Sequence, residues 1–84
     1  MYVEFLGIPR ERAGLSDLEV EAGTLGQLWG ALAARFPGLR ELITADGLHH
    51  SIAANLNGDE FISDPGTRLA DDDHVLLLSA DVGG

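Results

Sequence analysis

The strongest constraint on the fold lies near the carboxyl end, where His74-Val75-Leu76-Leu77-Leu78-Ser79 carries four consecutive apolar residues without alternation. A strand with one solvated face alternates apolar and polar residues, so an unbroken run predicts a central strand buried on both faces. The rest of the chain must then supply a strand on each side and a covering layer. Only 84 residues are available, which is one small domain with a single modest core. Tyr2-Val3-Glu4-Phe5-Leu6 is rich in β-formers and predicts a strand with Val3 and Phe5 on one face. Gly7 and Pro9 end it, and a polar, arginine-bearing connection follows. Asp17-Leu18-Glu19-Val20-Glu21 alternates strictly, with Leu18 and Val20 inward and three acids outward.

The covering layer is an amphipathic helix. Leu25, Leu28, Trp29, Leu32 and Phe36 fall on one helical face, Thr24 offers an N-cap hydroxyl, and Pro37-Gly38 closes the segment. Trp29 reads as core, and Gly30 is tolerable inside the helix where close backbone packing uses the missing side chain. Leu39-Arg40-Glu41-Leu42-Ile43 predicts a short helical turn, broken by Ala45-Asp46-Gly47. Ile52-Ala53-Ala54-Asn55-Leu56-Asn57 alternates again, and Asn57-Gly58 is the preferred pair for a two-residue type I′ hairpin turn into Glu60-Phe61-Ile62. Pro65-Gly66 and Asp71-Asp72-Asp73 form a polar connection to the last strand. The order strand, strand, helix, strand, short strand, strand predicts an α+β fold of β-grasp type: a mixed sheet of four to five strands with one main helix across one face. Residues 1–79 form the domain, and 80–84 a flexible tail leaving the end of the central strand.

Composition removes several functions. Fourteen acids against five bases give a formal charge of -9, which excludes nucleic acid and anionic membrane as partners and favours a basic protein surface. The bases are all arginines (Arg10, Arg12, Arg35, Arg40, Arg68), and there is no lysine and no cysteine. The absence of cysteine removes disulfides, thiolate metal sites and thiol catalysis, and fits a cytoplasmic protein. No run approaches the roughly 20 apolar residues of a membrane span. His49 and His50, adjacent on a loop and pointing in different directions, read with His74 as solvated side chains, with no metal site. Arg10 and Arg12 read as exposed, and Asp71-Asp72-Asp73 as a solvated turn that adds to an acidic face.

What remains is the terminus, Gly83-Gly84. Two glycines have no side chain to pack, but a segment without Cβ atoms threads a narrow channel and presents its carboxylate to a nucleotide. A carboxylate is inert toward nucleophiles until activated, most simply by adenylation. The chain has no phosphate-cradling loop of its own, so a partner must supply the ATP site. Attack on the acyl-adenylate by an amine gives a protein conjugate; attack by a persulfide or sulfide gives a thiocarboxylate.

The amino-terminal strand, the Phe36-Pro37-Gly38-Leu39 helix exit, Leu56-Asn57-Gly58-Asp59-Glu60, Leu69-Ala70-Asp71-Asp72-Asp73-His74-Val75 and Gly83-Gly84 together resemble the MoaD/ThiS family of ubiquitin-like sulfur carriers. The resemblance covers essentially the whole chain, with a length nearer MoaD, the small subunit of molybdopterin synthase. It implies a non-enzymatic carrier with no bound cofactor. By the same resemblance Gly84 would be adenylated by a ubiquitin-activating-type enzyme that uses ATP, converted to a thiocarboxylate by a persulfide or sulfide donor, and presented to a sulfur-accepting biosynthetic enzyme. It also implies that Gly83, Val82, Asp81, Ala80 and Leu78 are gripped by those partners. The family commonly places an aromatic residue, two prolines and an apolar residue before the glycines, where this chain reads Leu78-Ser79-Ala80-Asp81-Val82. The acceptor therefore stays open between molybdopterin, thiazole, cysteine and a sulfur-containing metabolite. A ubiquitin-like modifier conjugated through Gly84, and a β-grasp interaction module with incidental glycines, are the alternatives.

Overall fold

The computed structural model describes residues 1–44 and 46–80. Strand β1 (Tyr2–Phe5) is followed by a short helix α1 (Ile8–Ala13), strand β2 (Asp17–Glu19) and the main helix α2 (Leu25–Arg35). A 3-10 turn at Pro37–Leu39 leads to β3 (Ile43–Thr44), β4 (Gly47–Leu48), β5 (Ile52–Leu56), β6 (Glu60–Ile62) and β7 (His74–Ser79). Five strands form one mixed sheet in the order β2-β1-β7-β5-β6, in which β7 is parallel to β1 and antiparallel to β5. The carboxy-terminal strand is thus central, and the sheet is the five-stranded form of the expected β-grasp fold.

The core is built from one face of each element. Val3, Phe5, Val75 and Leu77 are fully buried from the sheet side, and Leu25, Leu28, Trp29 and Leu32 close over them from α2. Phe5 meets Phe36 edge to face, with ring centroids 5.8 Å apart. Helix α2 starts where all its early donors are satisfied. Thr24 Oγ1 accepts from the Gln27 N–H and Gln27 Oε1 accepts from the Gly23 N–H, a reciprocal capping arrangement. The N–H groups of Leu25 and Gly26 donate to Thr67 and Pro65 in the connection before β7. Gly30 does not serve close packing: it is exposed, and a Cβ there would meet nothing.

Several expectations need correction. The polar connection after β1 is helix α1, where Pro9 sits in the first turn and its missing N–H costs nothing. Gly14 ends it at φ 83, donating to Arg10 O. The second strand stops at Glu19. In place of a helical turn over 39–43, the 3-10 turn ends at Leu39, and Ile43 pairs with Leu48 in a separate two-stranded ladder. At the hairpin, Asn57 and Gly58 have φ 56 and 75, as type I′ requires, but Leu56 pairs with Glu60. The connection is therefore three residues, with Asp59 added. Strand β7 is not buried on both faces. Val75 and Leu77 face the core, whereas His74, Leu76 and Leu78 are half-buried on a sheet face that α2 does not cover.

Asp71-Asp72-Asp73 is only partly a solvated turn. Asp71 and Asp72 are exposed, but Asp73 accepts from the Ala70 N–H at 2.7 Å and from the Asn57 amide at 3.0 Å. Those bonds hold its carboxyl below the usual carboxylate range. Asn57 in turn accepts from the His74 N–H at 2.8 Å, locking the hairpin turn to the start of β7.

Candidate functional site at the end of the central strand

The end of β7 is held on both sides. On the β1 side, the Leu6 N–H donates to Leu77 O, and the Ile8 N–H donates to the side-chain Oγ of Ser79 at 2.8 Å. On the β5 side, the Ala80 N–H donates to Ser51 O at 2.8 Å. Of the residues assigned to the site, Leu78 lies half-buried on the uncovered face of β7, and Ala80 is half-buried just beyond the strand. Asp81, Val82, Gly83 and Gly84 lie outside the described residues. Ser79 was not singled out in the sequence. The only signal for it was a polar residue closing an apolar run, because its partner is 71 residues away.

The uncovered face is apolar at its centre and acidic on one side. The register sets Glu4 and Asn55 on either side of Leu76, Ala53 beside Leu78, and Phe61 beside Asn55. Phe61 is 68% exposed, the most exposed large hydrophobic side chain among the described residues. At the β1 side, the Tyr2 and His74 rings lie 4.8 Å apart, and His74 Nε2 is 3.0 Å from Glu4 Oε1. Asp17 and Glu19 pair across from Glu4 and Tyr2. Partial desolvation, and then the neighbouring Asp17 carboxylate, raise the Tyr2 phenol above its ordinary pKa.

A cavity of about 470 Å³ opens where β4 and the 49–50 turn meet β5 and β6, between Leu48, His49, His50, Ile52, Phe61 and Ser63. The two histidines do not point apart: their rings lie 4.1 Å from one another, because residues 49–51 form a turn and strand alternation does not apply. His49 Nδ1 is committed to Ser51, accepting its N–H at 3.1 Å and lying 2.8 Å from its Oγ. Among the described residues no group of three potential metal ligands is assembled, and no helix is long and apolar enough to cross a membrane. Arg12 is exposed, donating to Gly38 O and lying 3.9 Å from Glu41.

A five-stranded mixed sheet with one helix across it and the carboxy-terminal strand at its centre defines a ubiquitin-like β-grasp protein. The chain belongs to the ThiS family, whose model matches residues 3–84. Members of that family are small sulfur carriers and not catalysts themselves. No curated protein matches the chain. Among solved structures it is similar to SAMP1 from Haloferax volcanii, at 26% identity over 100% of this chain and 98% of that one, with a TM-score of 0.75. It is also similar to a chain of the BexX/CysO complex of Amycolatopsis orientalis, at 24% identity over 99% and 98% of the two chains, with a TM-score of 0.78. A third is a Pyrococcus furiosus protein provisionally assigned as molybdopterin converting factor, subunit 1, at 20% identity over 95% of both chains, with a TM-score of 0.74. The last two likenesses speak for the fold.

Proposed function

We propose that this chain carries sulfur on its terminal carboxylate. Residues 1–79 are the carrier domain and 80–84 the segment handed to partners. The supporting observation is the family match running through residue 84, with Gly83-Gly84 following the central strand after Ala80-Asp81-Val82. In the first step the Gly84 carboxylate attacks the α-phosphate of ATP on a ubiquitin-activating-type enzyme, giving the acyl-adenylate and pyrophosphate. Hydrosulfide then attacks the acyl carbon, AMP leaves, and a thiocarboxylate remains. With a persulfide donor the terminal sulfur attacks instead, and a thiol cleaves the resulting acyl disulfide to the same thiocarboxylate and a mixed disulfide. The thiocarboxylate then delivers its sulfur to a biosynthetic enzyme. Use of ATP by the partner fits a cytoplasmic setting.

Chemistry of this kind assigns the domain two tasks, docking and presentation. Leu76, Leu78 and Phe61 give the uncovered sheet face an apolar centre, and Glu4, Asp17 and Glu19 give it an acidic margin. That pattern suits a partner with an apolar patch bordered by basic side chains. Gly83, Val82, Asp81, Ala80 and Leu78 make the contacts along the channel. The test is incubation with the host's ubiquitin-activating-type enzyme, ATP and sulfide, followed by mass spectrometry of the carboxy-terminal peptide. Replacement of one Gly84 oxygen by sulfur is expected. A protein modifier is the second reading, favoured by the likeness to SAMP1, a small archaeal modifier protein; isopeptide adducts on target lysines without any sulfur incorporation would establish it instead.

A further inference from the structure

The ladders that flank β7 both lose a backbone donor near its end, the β1 ladder after Leu77 and the β5 ladder at Ala80. On the parallel side the rung from Leu6 N–H to Leu77 O is regular. The next rung in that register would run from Ile8 N–H to Ser79 O. Instead Gly7, at φ 65 and ψ -130, turns the chain into α1, and the Ile8 N–H donates to the Ser79 hydroxyl at 2.8 Å. Only glycine adopts that backbone conformation readily. A Cβ at position 7 would in addition collide with Ser79 Oγ. On the antiparallel side the Ala80 N–H reaches Ser51 O, but the reciprocal donor, Ser51 N–H, is turned to His49 Nδ1 at 3.1 Å. Among the described residues, the Ile8 and Ser51 N–H groups, which would each have donated to the backbone of β7 or of Ala80 in these registers, are both turned to side-chain acceptors.

We infer that Ser79 is a positioning residue for activation of the terminus: its hydroxyl, held by the Ile8 N–H under Gly7, ends the ladder and fixes the point and direction at which the chain leaves the domain. This rests on the reading that residues after Ala80 are presented to an adenylating partner. The stop has a metric consequence. Residues 81–84 remain beyond Ala80, and four extended residues span at most about 14 Å. The partner's nucleotide must therefore lie within that reach of the docked domain, and a small change in exit direction is carried along the whole segment to the reacting carboxylate. Misplacement by roughly 1 Å is enough to slow a positioned reaction by about a hundredfold. Ser79 does not touch the reacting atoms; it acts through the segment it aims.

Ser79→Ala removes the acceptor and keeps a small side chain; Ser79→Thr restores the hydroxyl. With the host's ubiquitin-activating-type enzyme and ATP, adenylation of Ser79→Ala at saturating carrier should fall about tenfold or more, while the carrier concentration giving half-maximal rate stays within about twofold of wild type because the docking face is untouched. Ser79→Thr should recover most of the rate. Amide exchange at Ile8, measured without any partner, should accelerate in Ser79→Ala and return toward wild type in Ser79→Thr. An unchanged rate for Ser79→Ala alongside faster Ile8 exchange would overturn the positioning role while leaving the carrier reading intact. Ile8 exchange unchanged in Ser79→Ala would overturn the stop itself. A wild-type chain that is never activated would overturn the carrier reading and the role of Ser79 with it.

Discussion

Asn57→Ala should be among the most costly changes at an exposed position, and its size can be worked out. The Asn57 side chain donates to Asp73 Oδ1 at 3.0 Å and accepts from the His74 N–H at 2.8 Å, while its backbone sits at φ 56. Each bond contributes about 0.5–1.5 kcal/mol net. Holding alanine in the left-handed region, where asparagine is tolerated, adds about 1 kcal/mol. The total is about 2–4 kcal/mol, or a fall in Tm of roughly 10–25 °C for a domain of this size. Urea denaturation followed by the fluorescence of Trp29, the only tryptophan and fully buried, gives a clean readout. Asn57→Asp supplies the sign. In the wild type Asp73 titrates below its unfolded value, so its contribution is present above about pH 4 and is lost as the pH falls through the folded value. In Asn57→Asp two carboxylates face each other, the folded pKa of the pair rises, and that penalty should relax over the same acid range. A cost below about 0.5 kcal/mol for Asn57→Ala, or identical acid limbs for wild type and Asn57→Asp, would refute the hub assigned to this side chain.

Tyr2 is the only tyrosine, so alkaline absorbance titration reports it alone; its midpoint should lie above about 10 and move down in Asp17→Asn. Since the folded value is the higher one, its contribution to stability is present below about pH 10 and disappears as the pH rises through the folded midpoint. Gly30→Ala should stabilise the domain by about 0.5–1 kcal/mol in the same urea assay, because the position is exposed, mid-helix and free of any neighbour for the new methyl group. Phe61→Ser should leave stability within about 0.5 kcal/mol yet speed dissociation from the adenylating partner, whereas added salt should slow association; binding kinetics indifferent to both changes would mean that the uncovered face is not the docking surface.

Elements that show a period over several residues were legible in the sequence. Helix α2 displayed it through Leu25, Leu28, Trp29 and Leu32, and β5 through Ile52 and Ala54. Helix α1 did not, because six residues containing Pro9, Arg10, Glu11 and Arg12 are too short and too polar for an apolar face to register. Strands β3 and β4, at two residues each, have no period at all. The run from Val75 to Leu78 correctly indicated the centre of the sheet and misled about its second face, since one helix covers only one side. Gly83-Gly84 stands out in the sequence, but the groups that end β7 do not. Gly7, Ile8, His49, Ser51 and Ser79 come together only once the sheet is assembled.

The central place of β7 also determines how the domain answers to force. On the proposed carrier reading, an enzyme that took up the terminus would load the domain through β7. That strand is bonded along its length to β1 on one side, from Tyr2↔His74 to Phe5↔Leu77, and to β5 on the other, from Leu56↔Val75 to Ile52↔Ser79. Tension along it loads two ladders in shear, so the backbone bonds of both share the load, where an edge strand such as β6 has one ladder to share it. On the carrier reading proposed above, a partner's traction on the terminus would thus be taken up by the strand that is paired on both sides, and shared with β1 and β5.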